Sequence, residues 1–323
     1  MSMGPVVHLV EGSVRGRATA LGNVFLGIPY AREARFEPPR PIAWTGYRDA
    51  LEPGPAMPQP RRPMATFTHG EPPPMDEGCL ALNVWTPEHR DGPLPVLVWI
   101  HGGGFAMGWS TASLYDGARL AAAGPMVVVS INYRLGSLGW LAHPEIGANA
   151  GRLDQLAALR WVKDNISGFG GDPERVTLAG QSAGALSVMG LLVAPGAEAL
   201  FARAIVQSPP IFDAAHDPEL GRAWAEALSA AAGGVGDFDR AALERLPAAE
   251  VVALAEALLT TPAFAGTRGG ALPMLDPATL PVSPADAPGA MPDVPVLAGA
   301  NADEATFFFR AGGRAEPPPE RLA

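Results

Sequence analysis

The chain is poor in cysteine and in long apolar runs. Its 323 residues include one cysteine, Cys79, so no disulfide forms within them, as is usual in a reducing compartment. No apolar run approaches the roughly 20 residues that cross a bilayer, and the first residues lack a signal-peptide pattern. No cluster of Cys and His has metal-ligand spacing. We therefore expect a cytoplasmic protein with no metal, no cofactor and no membrane partner.

The sequence is also poor in charge, and its balance of charge is acidic. Charged residues make up 17% and hydrophobic residues 48%, which is typical of a globular protein. The formal net charge of −10 argues against nucleic acid as a partner, because an acidic surface repels a polyanion. A chain of this length can bury a large core, as one large domain or two ordinary ones. Composition leaves the oligomeric state open.

Strand and helix patterns alternate along most of the chain. Residues 94–100 form a continuous apolar strand, suited to the middle of a sheet covered on both faces. Residues 79–85 alternate apolar side chains and predict another strand, and Asn149 is a candidate N-cap for a helix that runs to Ile166. After the short N-terminal strands, this order predicts an α/β fold with a mostly parallel central sheet. Ligands of such sheets bind at the carboxyl ends of the strands.

One segment, GQSAG at residues 180–184, lies between a β-branched strand pattern and an apolar helix pattern. The two glycines permit a sharp, strained turn with Ser182 at its apex. The turn exposes the serine hydroxyl beside the first turn of the helix, where the Ala183 N–H can point at a developing oxyanion. The segment therefore predicts a nucleophilic serine, against the alternative of a chance match in a glycine-rich chain.

Two further segments follow predicted strands at the same end of the sheet. HGGGF at residues 101–105 follows the apolar strand, and its three glycines leave backbone N–H groups able to turn toward a ligand. It completes an oxyanion hole, or it is a flexible turn. Glu304 follows the late strand pattern at residues 294–299. Strand order and direction thus bring the glycines, Ser182 and Glu304 to one edge.

These motifs resemble, in order and spacing, a type B carboxylesterase of the α/β-hydrolase superfamily, the branch that includes para-nitrobenzyl esterases and cholinesterases. The resemblance runs nearly end to end and also includes segments at residues 25–31, 79–85, 132–134, 153–159, 169–173 and 301–304. It implies a single α/β-hydrolase domain over residues 1–323, with helices on both faces of the sheet and antiparallel N-terminal strands. It also implies serine-dependent hydrolysis of small, largely uncharged carboxylic esters through an acyl-enzyme.

The resemblance assigns roles to five residues. Ser182 would attack the ester carbonyl, and the N–H groups of Gly103, Gly104 and Ala183 would hold the oxyanion. Glu304 would be the acid that orients the catalytic histidine. Asp303 is the rival for the role of the acid. Side chains expected to line the substrate pocket are Phe105, Met107, Trp109 and Phe212, although each could equally belong to the core.

The chain departs from the family at the third triad member. In this superfamily the histidine follows the acid, and no histidine follows Glu304. His101 and His216 are the alternatives considered as a base; the remaining histidines are expected on the surface or in loops: His8, His69, His89 and His143. The chain is then an incomplete esterase that lacks the C-terminal portion with the histidine, or a non-catalytic α/β-hydrolase-fold binding protein. If the polypeptide ends at Ala323, we expect an unprotected sheet edge.

Secreted relatives pair the cysteine at position 79 with one upstream. Met57 takes that place here, which leaves Cys79 free. Gln181 stands before the serine where many relatives carry glutamate, which weakens the case for a cationic substrate.

Overall fold

A computed structural model describes residues 4–62, 66, 70–88, 91–210, 216–265, 267, 272–286 and 288–304. The candidate residues Phe212, His69 and His89 lie outside the described residues. None of the described helices is both long and apolar enough to cross a bilayer.

Among the described residues, eight strands form the central sheet, and five of them are parallel. The strands are β3 (Arg17–Thr19), β4 (Gly22–Pro29), β6 (Ala81–Thr86), β7 (Leu94–Ile100), β8 (Val127–Ile131), β9 (Gly171–Gln181), β10 (Arg203–Gln207) and β11 (Val296–Gly299). Their order is β11-β10-β9-β7-β8-β6-β4-β3. The pairs from β11 to β8 are parallel, and those from β8 through β6 and β4 to β3 are antiparallel. The predicted mostly parallel sheet with antiparallel N-terminal strands is confirmed.

A small second sheet combines the N-terminal hairpin with one strand that follows β4. It contains β1 (Val6–His8), β2 (Ser13–Arg15) and β5 (Tyr47–Asp49), in the order β1-β2-β5. The hairpin closes through the Leu9 N–H, which donates to the Gly12 carbonyl oxygen at 2.7 Å. Between β4 and β6, β5 is the one strand among the described residues.

Seven helices pack around the sheet. They are α1 (Ala118–Ala123), α2 (Gly136–Trp140), α3 (Ala150–Asn165), α4 (Ala183–Leu192), α5 (Pro218–Ala231), α6 (Arg240–Arg245) and α7 (Ala248–Leu258), counted over the described part of the chain. Asp217 and Asp239 cap α5 and α6, since each carboxylate accepts an N–H from the first turn. The main core lies on one face of the sheet, and α1 covers part of the other against Val24, Trp85 and Val128.

Three local predictions differ from the structure. All six residues of β6 are buried rather than alternately exposed, because the strand lies between β8 and β4 with side chains packed on both faces. In β7 the alternate side chains are half-buried, because α1 packs on β8, β6 and β4 instead. Asn149 precedes α3 as predicted but makes no cap bond; its amide bonds the backbone of Met274 instead.

The carboxyl ends of three neighbouring parallel strands are joined by backbone hydrogen bonds. The Ser182 N–H, directly after β9, donates to the Gln207 carbonyl oxygen at the end of β10 at 2.9 Å. The Ser208 N–H in turn donates to the Gly299 carbonyl oxygen at the end of β11 at 2.7 Å. The loop that carries Glu304 therefore leaves the sheet two strands from the loop that carries Ser182. All four residues of β11, at the sheet edge, are exposed.

Candidate active site

Ser182 has a strained backbone conformation at the junction of β9 and α4. Its φ of 57° and ψ of −122° lie in a region that residues other than glycine rarely adopt. The flanking glycines are required by crowding. A methyl group at Gly184 would collide with the Ile100 carbonyl oxygen, and one at Gly180 would collide with the Gly184 backbone. The predicted strand, sharp turn and helix are confirmed, and Ser182 is partly exposed at the apex.

Ala183 is the first residue of α4, which is almost wholly buried. The N–H groups of the first helical turn have no acceptor within the helix, and the helix dipole adds partial positive charge there. The Ala183 N–H therefore lies beside the Ser182 side chain as a donor suited to an anion.

The glycine loop after β7 lies against the serine turn. A methyl group at Gly102 would lie 3.3 Å from Ser182 Cβ and 2.7 Å from the Gln181 carbonyl oxygen, so only glycine allows this approach. Gly103 and Gly104 have φ of 115° and 64°. Within the described residues, the N–H groups of Gly103 and Gly104 donate no hydrogen bond. The structure thus brings these two donors to the same edge as Ser182.

His101 lies beneath this loop and shapes it. Its ring is 1% exposed and stacks on Tyr133 with the ring centroids 4.6 Å apart. Its Nδ1 lies 2.8 Å from the Gly102 carbonyl oxygen, and the Tyr133 hydroxyl donates to the His101 carbonyl oxygen at 2.9 Å. Burial raises the pKa of Tyr133, so its hydroxyl remains a protonated donor. These contacts favour a structural role for His101 over that of a base.

Glu304 follows β11 and is partly exposed, while Asp303 is exposed. The Glu304 Oε1 atom accepts the Asn301 N–H at 2.6 Å, so the carboxylate folds back on its own loop. His216 pairs with Met274 through its backbone just before α5. His143 stacks on Phe238, and His8 bonds the Ser13 hydroxyl.

A cavity of about 290 Å³ opens beside Gly103 and Gly104. Its apolar lining includes Met107, as predicted from the sequence, and Trp224. Of the other two predicted pocket residues that the structure describes, Phe105 is in the core and 0% exposed. Trp109 is 3% exposed and lines a separate cavity of about 260 Å³ beside Arg62 and Met75. A larger cavity of about 620 Å³ lies between residues 58–60, residues 75–77 and α7, and it contains none of the candidate catalytic residues.

An ion pair forms one wall of the smaller cavity. Arg62 Nη2 lies 2.8 Å from Oε1 and 2.7 Å from Oε2 of Glu256, and both residues line the cavity. The two charges cancel, so the cavity combines an apolar lining with a polar wall of no net charge.

Sequence reasoning missed two polar groups that support this edge. Arg134, just after β8, forms a buried ion pair with Asp154 of α3, with Nη2 and Oδ1 2.7 Å apart. Gln59 binds the backbone of Gly108, directly after the glycine loop. The ion pair could have been found from Asp154, an acidic residue on the buried side of a helical pattern. The contact of Gln59 has no local signal in the sequence, because its partner is 49 residues away. Cys79 Sγ lies 3.5 Å from Met57 Sδ, as expected if Met57 occupies the place of a partner cysteine.

The sequence matches a family model described as the carboxylesterase family over residues 3–320. Phenmedipham hydrolase of Pseudarthrobacter oxydans is 41% identical over 94% of this chain and 62% of the relative. Para-nitrobenzyl esterase of Bacillus subtilis is 38% identical over 94% of this chain and 64% of the relative. The chain thus spans a little over three fifths of the length of these curated relatives.

Solved structures of esterases also resemble this chain in fold. A thermophilic PNB esterase superposes with a TM-score of 0.88 at 36% identity, over 98% of this chain and 67% of that structure. A carboxylesterase of Geobacillus stearothermophilus superposes with a TM-score of 0.83 at 38% identity, over 95% of this chain and 64% of that structure. By sequence, by fold and by the serine turn beside its glycine loop, the chain belongs to the carboxylesterase family.

Proposed function

We propose that this chain supplies the nucleophile, the oxyanion donors and the acid of a carboxylesterase that hydrolyses small, uncharged esters. The observation that carries the proposal is the strained Ser182 turn packed against Gly102, the neighbour in the chain of Gly103 and Gly104, which line the cavity of about 290 Å³. The names of the relatives support ester hydrolysis as the reaction class. The cavity of about 290 Å³ and its neutral Arg62–Glu256 wall support a small substrate without net charge.

In the proposed reaction, Ser182 Oγ attacks the ester carbonyl carbon as a base removes the hydroxyl proton. The carbonyl oxygen becomes an oxyanion that accepts hydrogen bonds from Gly103, Gly104 and Ala183. Collapse of this intermediate expels the alcohol, which takes the proton, and leaves an acyl-serine. Water then attacks the acyl-serine, and the carboxylic acid leaves as Ser182 is regenerated. Loss of one oxyanion donor typically costs about 3 kcal/mol of transition-state stabilisation.

Glu304 is the proposed acid, and it acts by orienting a histidine and stabilising its charged form. In this superfamily the histidine follows the acid along the chain, and the present sequence contains none after Glu304. This observation favours a second candidate function, a non-catalytic binding protein or an esterase that is inactive as this polypeptide.

Hydrolysis of para-nitrophenyl butyrate by the 323-residue chain and by Ser182→Ala tests the proposal. Activity that Ser182→Ala abolishes would support it, whereas equal rates for both proteins would support the second candidate. Glu304→Gln and Asp303→Asn form a matched pair for the acid. We expect only Glu304→Gln to lower the rate of an active chain, and the reverse result would assign the acid to Asp303.

We also propose a cytoplasmic location, because the Cys79 thiol packs on Met57 rather than bonding a second cysteine. Burial raises the pKa of the Cys79 thiol well above its ordinary value, so the thiol stays protonated. Fractionation of expressing cells checks the location, and recovery outside the cytoplasmic fraction would contradict it.

A further inference from the structure

The side-chain amide of Gln59 holds both backbone polar groups of Gly108. Its Oε1 accepts the Gly108 N–H at 2.7 Å, and its Nε2 donates to the Gly108 carbonyl oxygen at 3.1 Å. The same Nε2 donates to the Met57 carbonyl oxygen at 2.9 Å. Gln59 is 7% exposed, so these bonds form out of reach of solvent and satisfy both hydrogens of the amide.

Gly108 closes the loop that carries the proposed oxyanion donors. The Ala106 and Met107 N–H groups both donate to the Gly103 carbonyl oxygen, at 3.2 and 3.1 Å, and form a tight turn that ends at Gly108. Gly108 has φ of 114°, and a methyl group there would lie 2.5 Å from His101 Nδ1 and 2.6 Å from the Gly102 carbonyl oxygen. A shift of the Gly108 peptide therefore displaces residues 101–108, which we name the oxyanion loop.

Gln59 projects from a segment that is itself fixed. The Ala56 N–H donates to the Pro74 carbonyl oxygen, and the Ala56 carbonyl oxygen accepts the Asp76 N–H, both at 3.0 Å. A second amide strengthens the connection: Asn132 Oδ1 accepts the Ser110 N–H at 2.7 Å, and Asn132 Nδ2 donates to the Pro55 carbonyl oxygen at 2.9 Å. Residues 55–59 are thus connected to residues 108–110 by two side-chain amides, those of Gln59 and Asn132.

We propose that Gln59 is a positioning residue, which fixes the oxyanion loop so that the Gly103 and Gly104 N–H groups point to the oxyanion. This inference rests on the proposed function for the role of those donors, while the restraint on the loop stands by itself. Gln59 touches neither Ser182 nor the reacting atoms. The Gly103 and Gly104 N–H groups bind the oxyanion of the transition state more strongly than the carbonyl oxygen of the bound ester. Loosening the loop therefore weakens binding of the transition state and leaves binding of the substrate nearly unchanged.

The chain contains a matched control for this residue. Asn149 is 0% exposed and makes the same bidentate contact with another residue: its Oδ1 accepts the Met274 N–H, and its Nδ2 donates to the Met274 carbonyl oxygen. It makes a third bond to the Thr279 hydroxyl. Gln59→Ala and Asn149→Ala therefore remove the same number of buried hydrogen bonds at different places. Gln59→Glu is a second variant that keeps the side-chain shape and the acceptor for the Gly108 N–H.

Hydrogen exchange of the 323-residue chain, followed by mass spectrometry, tests the restraint without any need for activity. In Gln59→Ala we expect amides of residues 103–110 to exchange about tenfold faster than in the wild type, with no change there in Asn149→Ala. Gln59→Glu should show the same local acceleration, because a carboxylate cannot donate to the Gly108 carbonyl oxygen. Wild-type exchange rates at residues 103–110 in both Gln59 variants would overturn the proposal.

Hydrolysis of para-nitrophenyl butyrate adds a readout that a merely structural residue would not change. If Ser182 supports hydrolysis, Gln59→Ala should lower kcat by about tenfold to a hundredfold with KM within about twofold, and Asn149→Ala should leave both near wild type. An equal loss of kcat in both variants would overturn the positioning role. If the wild type shows no Ser182-dependent hydrolysis, the proposed function fails for this chain and the exchange experiment alone decides the role of Gln59.

Discussion

The guanidinium of Arg152 in α3 lies directly against the backbone of Gly190 in α4. Arg152 is 0% exposed, and a methyl group at Gly190 would collide with both of its terminal nitrogens. Nη1 donates to the Ser187 carbonyl oxygen at 3.4 Å, while Nε and Nη2 have no partner within the described residues. Burial lowers the pKa of Arg152 to about 10. Among the described residues, a charge without a counter-charge thus lies beneath the helix that follows the candidate nucleophile.

The first prediction concerns Gly190→Ala. Alanine is the better helix former by about 1 kcal/mol, yet its methyl group would overlap the guanidinium, and overpacking costs about 1–3 kcal/mol. We expect a net loss of about 1–2 kcal/mol in the free energy of unfolding, measured by urea denaturation. In an Arg152→Met background the loss should disappear. Additive effects of the two substitutions would contradict the contact.

The second prediction is that Arg152→Met stabilises the protein. A buried charge without a counter-charge opposes folding, and a shorter apolar side chain removes the desolvation cost. Because the pKa is lower in the folded state, the unfolded state binds more protons from about pH 10 upward, so stability rises with pH there and the full cost applies at neutral pH. We expect a gain of about 1–3 kcal/mol at pH 7. A loss of stability in urea denaturation would show that Arg152 has a counter-charge.

The third prediction concerns the partly buried Glu33, whose Oε1 accepts the Cys79 N–H at 3.1 Å. Burial, and then the nearby charge of Asp154, raise its pKa from 4.5 to about 7. A raised carboxyl pKa gives stability that is present in full below pH 4.5 and lost as the pH rises through 7. Glu33→Gln should therefore unfold with a free energy about 1–2 kcal/mol higher than the wild type at pH 8, after allowance for partial exposure, and without that gain at pH 4.

Glu37→Gln is a control for Glu33→Gln, because the pKa of Glu37 is shifted in the opposite direction. Hydrogen bonding to Arg240 lowers the pKa of Glu37, so its removal should not stabilise the protein at pH 8. If Glu33→Gln shows the same difference from the wild type at pH 4 and pH 8, the pKa of Glu33 is not raised.

The fourth prediction is that Ser182→Gly is more stable than Ser182→Ala. Glycine adopts φ of 57° and ψ of −122° without steric cost, whereas alanine keeps the strain that serine has. We expect a difference of about 1–3 kcal/mol in the free energy of unfolding by urea denaturation, which is the usual size of such strain. Equal stabilities would mean that the serine turn is relaxed.

The fifth prediction uses the contact between Met57 Sδ and Cys79 Sγ, which are 3.5 Å apart in the core. Met57→Cys should form a disulfide with Cys79 under mild oxidation and raise the free energy of unfolding by about 3 kcal/mol through loop closure. Thiol titration of the denatured protein should find no free thiol after oxidation and two after reduction. Two free thiols after oxidation would show that the backbones at 57 and 79 are too far apart for a disulfide.

Features set by neighbouring residues were predictable from the sequence. The Ser182 turn, the glycine loop and the parallel strands that precede them are contiguous patterns, and the structure confirms their local geometry. Burial of single side chains was less predictable. Phe105 belongs to the core, and Trp109, although almost wholly buried, lines a separate cavity from the one beside Gly103 and Gly104. Asn149 marks the start of α3, but its amide is used on Met274, which lies 125 residues further along the chain.

The family, the sheet and the serine turn could be predicted from the sequence, because each depends on short segments whose composition and spacing fix the backbone conformation. The side chains that hold the oxyanion loop, and the position of Arg152 against Gly190 with no counter-charge in the described part of the chain, follow from the tertiary structure alone. Those relationships join residues distant in the chain, and their energies come from contact, burial and the loss of water. Such terms arise only when the chain has folded and the partners meet.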